Sequence, residues 1–186
     1  MNRRGMMMLQ QSKGYELVYD AASGKYPEDV GYTHTSGNIP VTLEDNALVM
    51  EASGSLRNRY DLLTATAESK TFEVWLTPIS GTTSIRLQNN TTRVSFFITT
   101  TTDGGYYIKW GVGVYVDWSK PFVKKPYNQG DMLKLRLVND KEYTAAYMND
   151  ELIYETHTAY PQNVNVANID ISQGKIKVHK MIYKEL

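Results

Sequence analysis

Hydrophobic residues recur at every second position over several short segments of the chain. Phe72, Val74 and Leu76 alternate with polar or mixed side chains, and the segments 93–99 and 131–138 repeat this alternation. A period of two places neighbouring side chains on opposite faces of a β-strand, whereas an amphipathic helix needs a period of 3.6. The pattern therefore predicts β-strands with one buried face, and no segment shows a sustained helical stripe.

Turn-forming residues divide these segments at short intervals. They tolerate the positive backbone angles of tight hairpins. About a dozen short strands separated in this way predict an all-β fold, a two-sheet antiparallel jelly-roll sandwich. The order of the strands does not follow from the pattern. The turns are expected at Asp45-Asn46, Ser53-Gly54, Ser80-Gly81, Asn89-Asn90, Asp103-Gly104-Gly105, Asn139-Asp140, Asn149-Asp150 and Gln173-Gly174.

The first residues differ from the rest of the chain, since they show no alternation and combine arginines with methionines. We predict an N-terminal arm at residues 1–14 and one sandwich domain at residues 15–186. The arm has two interpretations: a disordered terminus, or an assembly arm, because methionine packs adaptably against irregular surfaces. Polar segments at 24–38 and 120–129 are predicted to be loops. The assembly-arm residues would be Arg3, Arg4, Met6, Met7 and Met8.

Composition and charge exclude several functions. Twenty basic residues balance twenty acidic ones, so no global field favours nucleic acid as a partner. Without cysteine, disulfides, thiol nucleophiles and cysteine-bound zinc are excluded. The apolar stretch after the two arginines ends at Leu9, too short for a signal peptide. No later apolar run reaches membrane-spanning length, so we expect neither standard secretion nor membrane insertion.

Two segments near the C-terminus resemble the concanavalin A-like, laminin G-like sandwich family. Residues 145–154 match a hairpin of the type Tyr-x-Asn-Gly-x-Leu-Ile, with Asp150 in place of the usual glycine. Residues 174–186 match a final strand of the type Gly-x-Ile-x-x-x-x-Ile-Tyr-x-x-x-Leu. The resemblance implies two facing antiparallel sheets that often contact glycans or proteins. It does not imply one ligand, because fold and function are loosely linked.

Three features of the front half resemble proteins of gut-bacterial phages and prophages: the arginine- and methionine-rich leader, Tyr19-Asp20, and residues 41–50. This resemblance implies a non-enzymatic structural or adhesion protein of the virion, of the head, tail-fibre or decoration type. It would be made in the bacterial cytoplasm and would contact other virion proteins, itself and a cell-surface glycan. We expect a symmetric homo-oligomer, for example a trimer. The alternatives are a stand-alone bacterial carbohydrate-binding module and a glycoside hydrolase.

The hydrolase alternative depends on a pair of acids. Glycosidases of related sandwiches carry carboxylates at alternating positions of one strand, so that both point into one cleft. Glu73 is the best candidate, but Trp75 and Thr77 follow it on its face. We therefore predict that the chain is not an enzyme and has no catalytic residues. Glu73 is expected to pair with Arg57 or Arg59 of a neighbouring strand.

Nothing in the sequence indicates a cofactor or a metal site. His34 is expected in a loop, His157 at a strand end and His179 in the last strand, each as a surface or edge residue. No Gly-x-Ser-x-Gly elbow is present, and Gly104-Gly105 opens no helix that would bind phosphate. Structural calcium held by scattered carbonyls and acids stays open.

An aromatic surface is the best remaining candidate for ligand binding. Sugars stack on aromatic rings while nearby polar groups bond their hydroxyls. Our predicted ligand-binding residues are Tyr107, Tyr115, Asp117 and Trp118. The competing interpretation is ordinary cross-strand pairing of aromatic residues. A further stripe, made of Arg57, Arg59 and Asp61, is either a solvated face or an inter-subunit contact.

Overall fold

A computed structural model of the chain describes residues 14–36, 39–64, 69–88, 93–100, 106–113, 125–141, 143–157 and 165–185. The regular secondary structure of this part of the chain is β-strand, apart from two 3₁₀ turns at Ala21–Ser23 and Pro27–Val30. The all-β prediction is confirmed. The strands are β1 Glu16–Asp20, β2 Thr33–Ser36, β3 Thr42–Glu44, β4 Ala47–Ala52, β5 Asn58–Leu63, β6 Lys70–Gln88, β7 Arg93–Thr100, β8 Tyr106–Gly113, β9 Lys125–Pro126, β10 Leu133–Asn139, β11 Thr144–Met148, β12 Glu151–Thr156 and β13 Val166–Glu185.

Two long strands, β6 and β13, organise the sheets. They pair antiparallel along their whole lengths. The first half of β6 also pairs with β10, and its second half pairs with β7. In the same way β13 pairs with β5, then β4, then β1 along its length. We call the part with β10, β11, β12, β1, β3 and β4 the first sheet, and the part with β7, β8, β9, β5 and β2 the second sheet.

The two long strands pass from one sheet to the other at a pair of glycines. Gly81 and Gly174 are register partners, with φ angles of 80° and 92°. A Cβ at Gly81 would overlap the carbonyl oxygen of Gln173, and one at Gly174 would overlap that of Ser80. Only glycine allows the two backbones to approach this closely in this conformation.

Bulges keep the apolar side chains on the inside through this crossing. The register skips Ile79 in β6 and both Ser172 and His179 in β13. Each extra residue reverses which alternate positions face the core. In β6 the buried apolar positions are therefore even-numbered up to Leu76 and odd-numbered at Ile85 and Leu87.

One hydrophobic core lies between the two sheets. Phe72, Val74 and Leu76 are fully buried, which confirms the face predicted for this segment. Leu133, Leu135 and Leu137 are buried beside them, again as predicted. The second sheet contributes apolar residues of β5, β6 and β13 to the same cluster. The predicted two-layer sandwich is therefore observed.

The prediction of a loop at residues 24–38 is wrong for residues 33–36. Thr33–Ser36 forms β2, which pairs with β5 at the edge of the second sheet. A short polar edge strand has no apolar alternation, so the sequence pattern does not reveal it. In the other predicted loop, Lys125–Pro126 forms the two-residue strand β9 and residues 120–124 lie outside the described residues. Residues 1–13 of the predicted arm, with all five assembly-arm residues, also lie outside the described residues, so the arm stays a prediction.

Substitution of Gly81 tests the glycine crossing. We expect Gly81→Ala to lower the free energy of unfolding by about 3 kcal/mol or more, because the methyl group must displace the backbone of β13. Gly130→Ala is the matched control, since Gly130 has a φ of 88° but open space around its missing Cβ. It should cost only about 1–2 kcal/mol. Equal losses in urea unfolding would contradict the proposed role of the crossing.

Candidate functional site

The face of the second sheet that points away from the core is polar. Cross-strand pairing aligns Asp61, Asn168, Arg86 and Ser95 in one row across four strands. The next row aligns Arg59, Asp170 and Ser84. These positions alternate with the buried core residues of the same strands, so they belong to the opposite face. We call Ser84, Arg86, Ser95, Asn168 and Asp170 the polar face.

The polar face is buried although it lies outside the core. Asn168 and Ser95 are 0% exposed, and Ser84 and Asp170 are nearly as inaccessible. Side chains of these types normally stay in contact with water on a sheet's outer face. These buried polar side chains therefore need hydrogen-bond partners within the protein, or they are kept for a function.

Charge on this face is balanced by arginines. Asp170 Oδ2 lies 3.3 Å from Arg86 Nη2 and 3.7 Å from Arg57 Nη1. Arg86 is largely buried, whereas Arg57 is 64% exposed. On β5, Arg59 Nε donates to Asp61 Oδ1 at 2.6 Å, which links the two rows. The predicted arginine stripe is therefore paired with acids of its own sheet, and its role as an inter-subunit contact stays a prediction.

Several polar atoms of this face have no hydrogen-bond partner. They include both amide atoms of Asn168, Oδ1 of Asp170 and Oγ of Ser95. A buried donor or acceptor left unpaired costs about 1–3 kcal/mol. Native structures keep few such groups, and those that persist need a specific explanation. Binding of a ligand whose groups complete these hydrogen bonds is one such explanation.

The polar face does not present a glycosidase pair in the described part of the chain. Asn168, Asp170 and Ser172 occupy alternating positions of β13, and only one of them is a carboxylate. Asp61, on the neighbouring strand, is bonded to Arg59. Glycoside hydrolysis needs one carboxyl group that holds a proton and a second that acts as nucleophile or base. A carboxylate bonded to an arginine does not serve as that proton donor.

The expected partner of Glu73 is corrected by the structure. Its carboxylate accepts from Trp75 Nε1 at 2.7 Å and lies 3.6 Å from Lys134 Nζ. Arg57 and Arg59 are on or beside β5 in the second sheet, whereas Glu73 lies on the first sheet between β10 and β13. The sequence pattern did not give the strand order, so the pairing prediction was wrong.

A second carboxylate does lie near Glu73. Asp150 Oδ1 accepts from the same Lys134 Nζ at 2.8 Å. This hydrogen bond holds the pKa of Asp150 below its usual range, so Asp150 is not a proton donor at neutral pH. The Glu73 region is therefore an ion-paired surface in the described residues.

The histidines only partly match their predicted positions. His34 lies in β2, stacked 4.6 Å from the Tyr60 ring and bonded to Asn58, and not in a loop. His157 is exposed after β12, as expected. His179 is the bulge residue of β13, and its Nε2 lies 3.0 Å from Thr77 Oγ1. Within the described ranges, no three His, Asp or Glu side chains form a possible metal site.

The pH dependence of stability tests the environment of His179. Burial, with help from Lys177, lowers the pKa of His179 from 6.5. The unfolded state then binds this proton first, so stability is fully present above about pH 6.5 and falls as the pH drops through the folded-state pKa. We expect His179→Gln to reduce the stability lost between pH 7.5 and 5.5 in urea unfolding. His157→Gln should not; an equal effect of both variants would contradict the assignment.

The predicted aromatic residues are only partly described. Tyr107 lies in β8, where it pairs with Thr99, which pairs with Thr82 of β6. Thr82 precedes Ser84 and Arg86 in the same alternation, so Tyr107 occupies the register row next to the polar face. Tyr115, Asp117 and Trp118 lie outside the described residues and stay predictions.

The polar face was not predicted from the sequence. A signal existed: Asn168 and Asp170 alternate with Ile169 and Ile171 in a long apolar strand. That pattern is the same for a solvated strand face, however. Only the pairing of β13 with β5 and β6 shows that these side chains are central and buried.

Comparisons with known proteins support the fold. No protein-family model matches the sequence, and no curated protein matches it. Among solved structures, the carbohydrate recognition domain of Emp46p in its metal-free form aligns with a TM-score of 0.69 and 12% identity, over 92% of this chain and 96% of that domain. The carbohydrate recognition domain of Emp47p aligns with a TM-score of 0.67 and 13% identity, over 94% and 98%.

A β-glucanase of Bacillus licheniformis aligns with a TM-score of 0.60 and 11% identity, over 95% of this chain and all of the enzyme. At such identities the likeness concerns the fold. The chain has the concanavalin A-like jelly-roll fold, as the sequence resemblance implied. In the described part of the structure, no helix has the length and apolar character needed to cross a lipid bilayer.

Proposed function

We propose that the protein is a non-enzymatic glycan-binding protein and that the polar face of the second sheet contacts the sugar. The observation that supports this most directly is Asn168, whose amide is fully buried and has no hydrogen-bond partner. Its neighbours Asp170 and Ser95 each have a further unpartnered atom. Together they form an unsatisfied set of donors and acceptors on one face.

A sugar has the chemistry that this set requires. Each hydroxyl both donates and accepts, while the Asn168 amide offers two donors and one acceptor, Asp170 Oδ1 an acceptor, and Ser95 Oγ both. A neutral ligand fits better than an ion. A cation would be repelled by Arg86 and Arg57, and an anion would be repelled by Asp61 and Asp170.

The approach to the polar face runs from the β5 side. Exposure falls from 64% at Arg57, through Arg59 and Asp61, to 0% at Asn168. The contact of Arg57 Nη1 with Asp170 Oδ2 is long, at 3.7 Å, and Asp170 keeps its contact with Arg86 when the exposed Arg57 side chain moves away. Movement of the Arg57 side chain would therefore give a ligand access to the Asp170 carboxylate from the β5 side.

The structural neighbours support the ligand class. The names of two of them state carbohydrate recognition, and the third is a glucanase. Non-enzymatic binding is favoured over hydrolysis because Asp170 of the polar face and the adjacent Asp61 are both paired with arginines.

The biological setting is proposed from the sequence resemblance alone. We propose a virion protein attached by residues 1–14, with a stand-alone bacterial carbohydrate-binding module as the alternative. Light scattering of the full chain separates the two, since a defined homo-oligomer that becomes monomeric on removal of residues 1–14 is expected only for the first.

Replacement of Asn168 by leucine tests the proposed function. Leucine has the same branching as asparagine but no unpaired polar atoms, so Asn168→Leu should raise the free energy of unfolding by about 1–3 kcal/mol. The same variant should lose at least about ten-fold in affinity for the glycan found on a glycan array. Stability is measured by urea unfolding, and affinity by calorimetry.

The matched control is Asn58→Leu. Asn58 is also fully buried, but its amide donates to the carbonyls of Ile39 and Glu51 and contacts His34. This variant should lower the stability. If Asn168→Leu also lowers the stability and glycan binding is unchanged, Asn168 is structural and the proposed site is wrong.

A further inference from the structure

A recess lies on the outer face of the first sheet, on the other side of the sandwich from the polar face. It has a volume of about 360 Å³ and is lined by residues of β6, β10, β11 and β13 together with Tyr143. This volume falls within the range of small-ligand sites, about 300–1,000 Å³.

Arg136 is the distinctive residue of this recess. Its guanidinium carbon lies 4.2 Å from the centre of the Tyr147 ring, and its Nε is buried without a hydrogen-bond partner. Glu73 is its register partner on β6, but the Glu73 carboxylate contacts Trp75 and Lys134 instead. Arg136 therefore has neither an ion pair nor a hydrogen bond within the described residues.

The other cations on this face have anionic partners. Lys184 Nζ lies 3.0 Å from Glu16, and Lys175 Nζ lies 2.7 Å from Glu51. Lys177 and Lys180 pair with acids of the facing segments, and Lys134 bonds Asp150. Two cations line the recess, Arg136 and Lys184. Lys184 is paired with Glu16, so Arg136 is the lining cation that has no acidic partner among the described residues.

The remaining lining is amphipathic. Val138, Ile182 and the rings of Tyr143 and Tyr147 offer apolar surface. Glu73 and Thr71 offer polar atoms that bond hydroxyl groups. A small inorganic anion would contact only the charged groups of the recess, whereas a sugar ring with one anionic group would also pack against the tyrosines and the apolar side chains.

We propose that this recess binds an acidic sugar, with its carboxylate held by the guanidinium of Arg136 and its ring packed against the tyrosines. The planar guanidinium matches a carboxylate through two parallel hydrogen bonds, and its stacking on Tyr147 fixes the plane in advance. The Glu73 carboxylate accepts from ring hydroxyls and repels a second anionic group. The site is separate from the polar face, where a neutral sugar is proposed.

Calorimetry of the full-length protein with small sugars tests this proposal. Methyl glucuronide should bind at least about ten-fold more tightly than methyl glucoside, and its affinity should fall with added salt. Arg136→Gln should remove this preference, and Arg136→Lys should weaken it, because lysine keeps the charge without the planar fork. Lys175→Met, on the same face, should leave binding unchanged.

Three results would overturn the proposal. The first is equal affinity for glucuronide and glucoside, and the second is unchanged binding by a folded Arg136→Gln variant. The third is acetate or sulfate alone binding as tightly as glucuronide, which would indicate a simple anion site. Glucuronide binding should persist in Asn168→Leu, so that failure at one face is distinguishable from failure at the other.

Discussion

The antiparallel pairing of β6 with β13 is the interaction on which the rest of the structure depends. The strands β10 and β7 attach to β6, and β5, β4 and β1 attach to β13. Both sheets therefore share the same two central strands, and the glycine crossing at Gly81 and Gly174 sets how the sheets face each other. The side chains that β6 and β13 present on either outer face are placed by the register of this one pair.

The sequence predicted the features that are local. Alternation identified the buried faces at Phe72–Leu76 and Leu133–Leu137, and the turn residues marked the hairpins, as at Asp150 with its φ of 66°. It did not predict features that depend on distant pairing. The partner of Glu73, the strand at His34 and the burial of Asn168 each depend on which strand lies alongside. The bulges also reverse the alternation at positions where the local sequence pattern predicts that it continues.

The two outer faces use opposite electrostatic arrangements. On the first sheet, lysines of β13 meet acids of the adjacent segments near the solvent, where each pair contributes little to stability. On the second sheet, Asp170 and Arg86 are withdrawn from water, where an uncompensated group is expensive. On the second sheet, unpartnered polar atoms therefore indicate a binding site, because leaving them unpaired is costly. On the first sheet, a cation without an acidic partner is the informative exception, because the other cations are paired.

The late position of β13 in the chain has a consequence for folding. Lys70 pairs with Glu185 and Gln88 with Val166, so the central ladder closes only by joining segments far apart in sequence. Non-local pairing of this kind slows folding. Before β13 docks, β6 has one unprotected edge next to apolar side chains, a situation that favours aggregation. Newly made chains would then depend on the rapid arrival of β13, or on a chaperone that shields β6 until β13 docks.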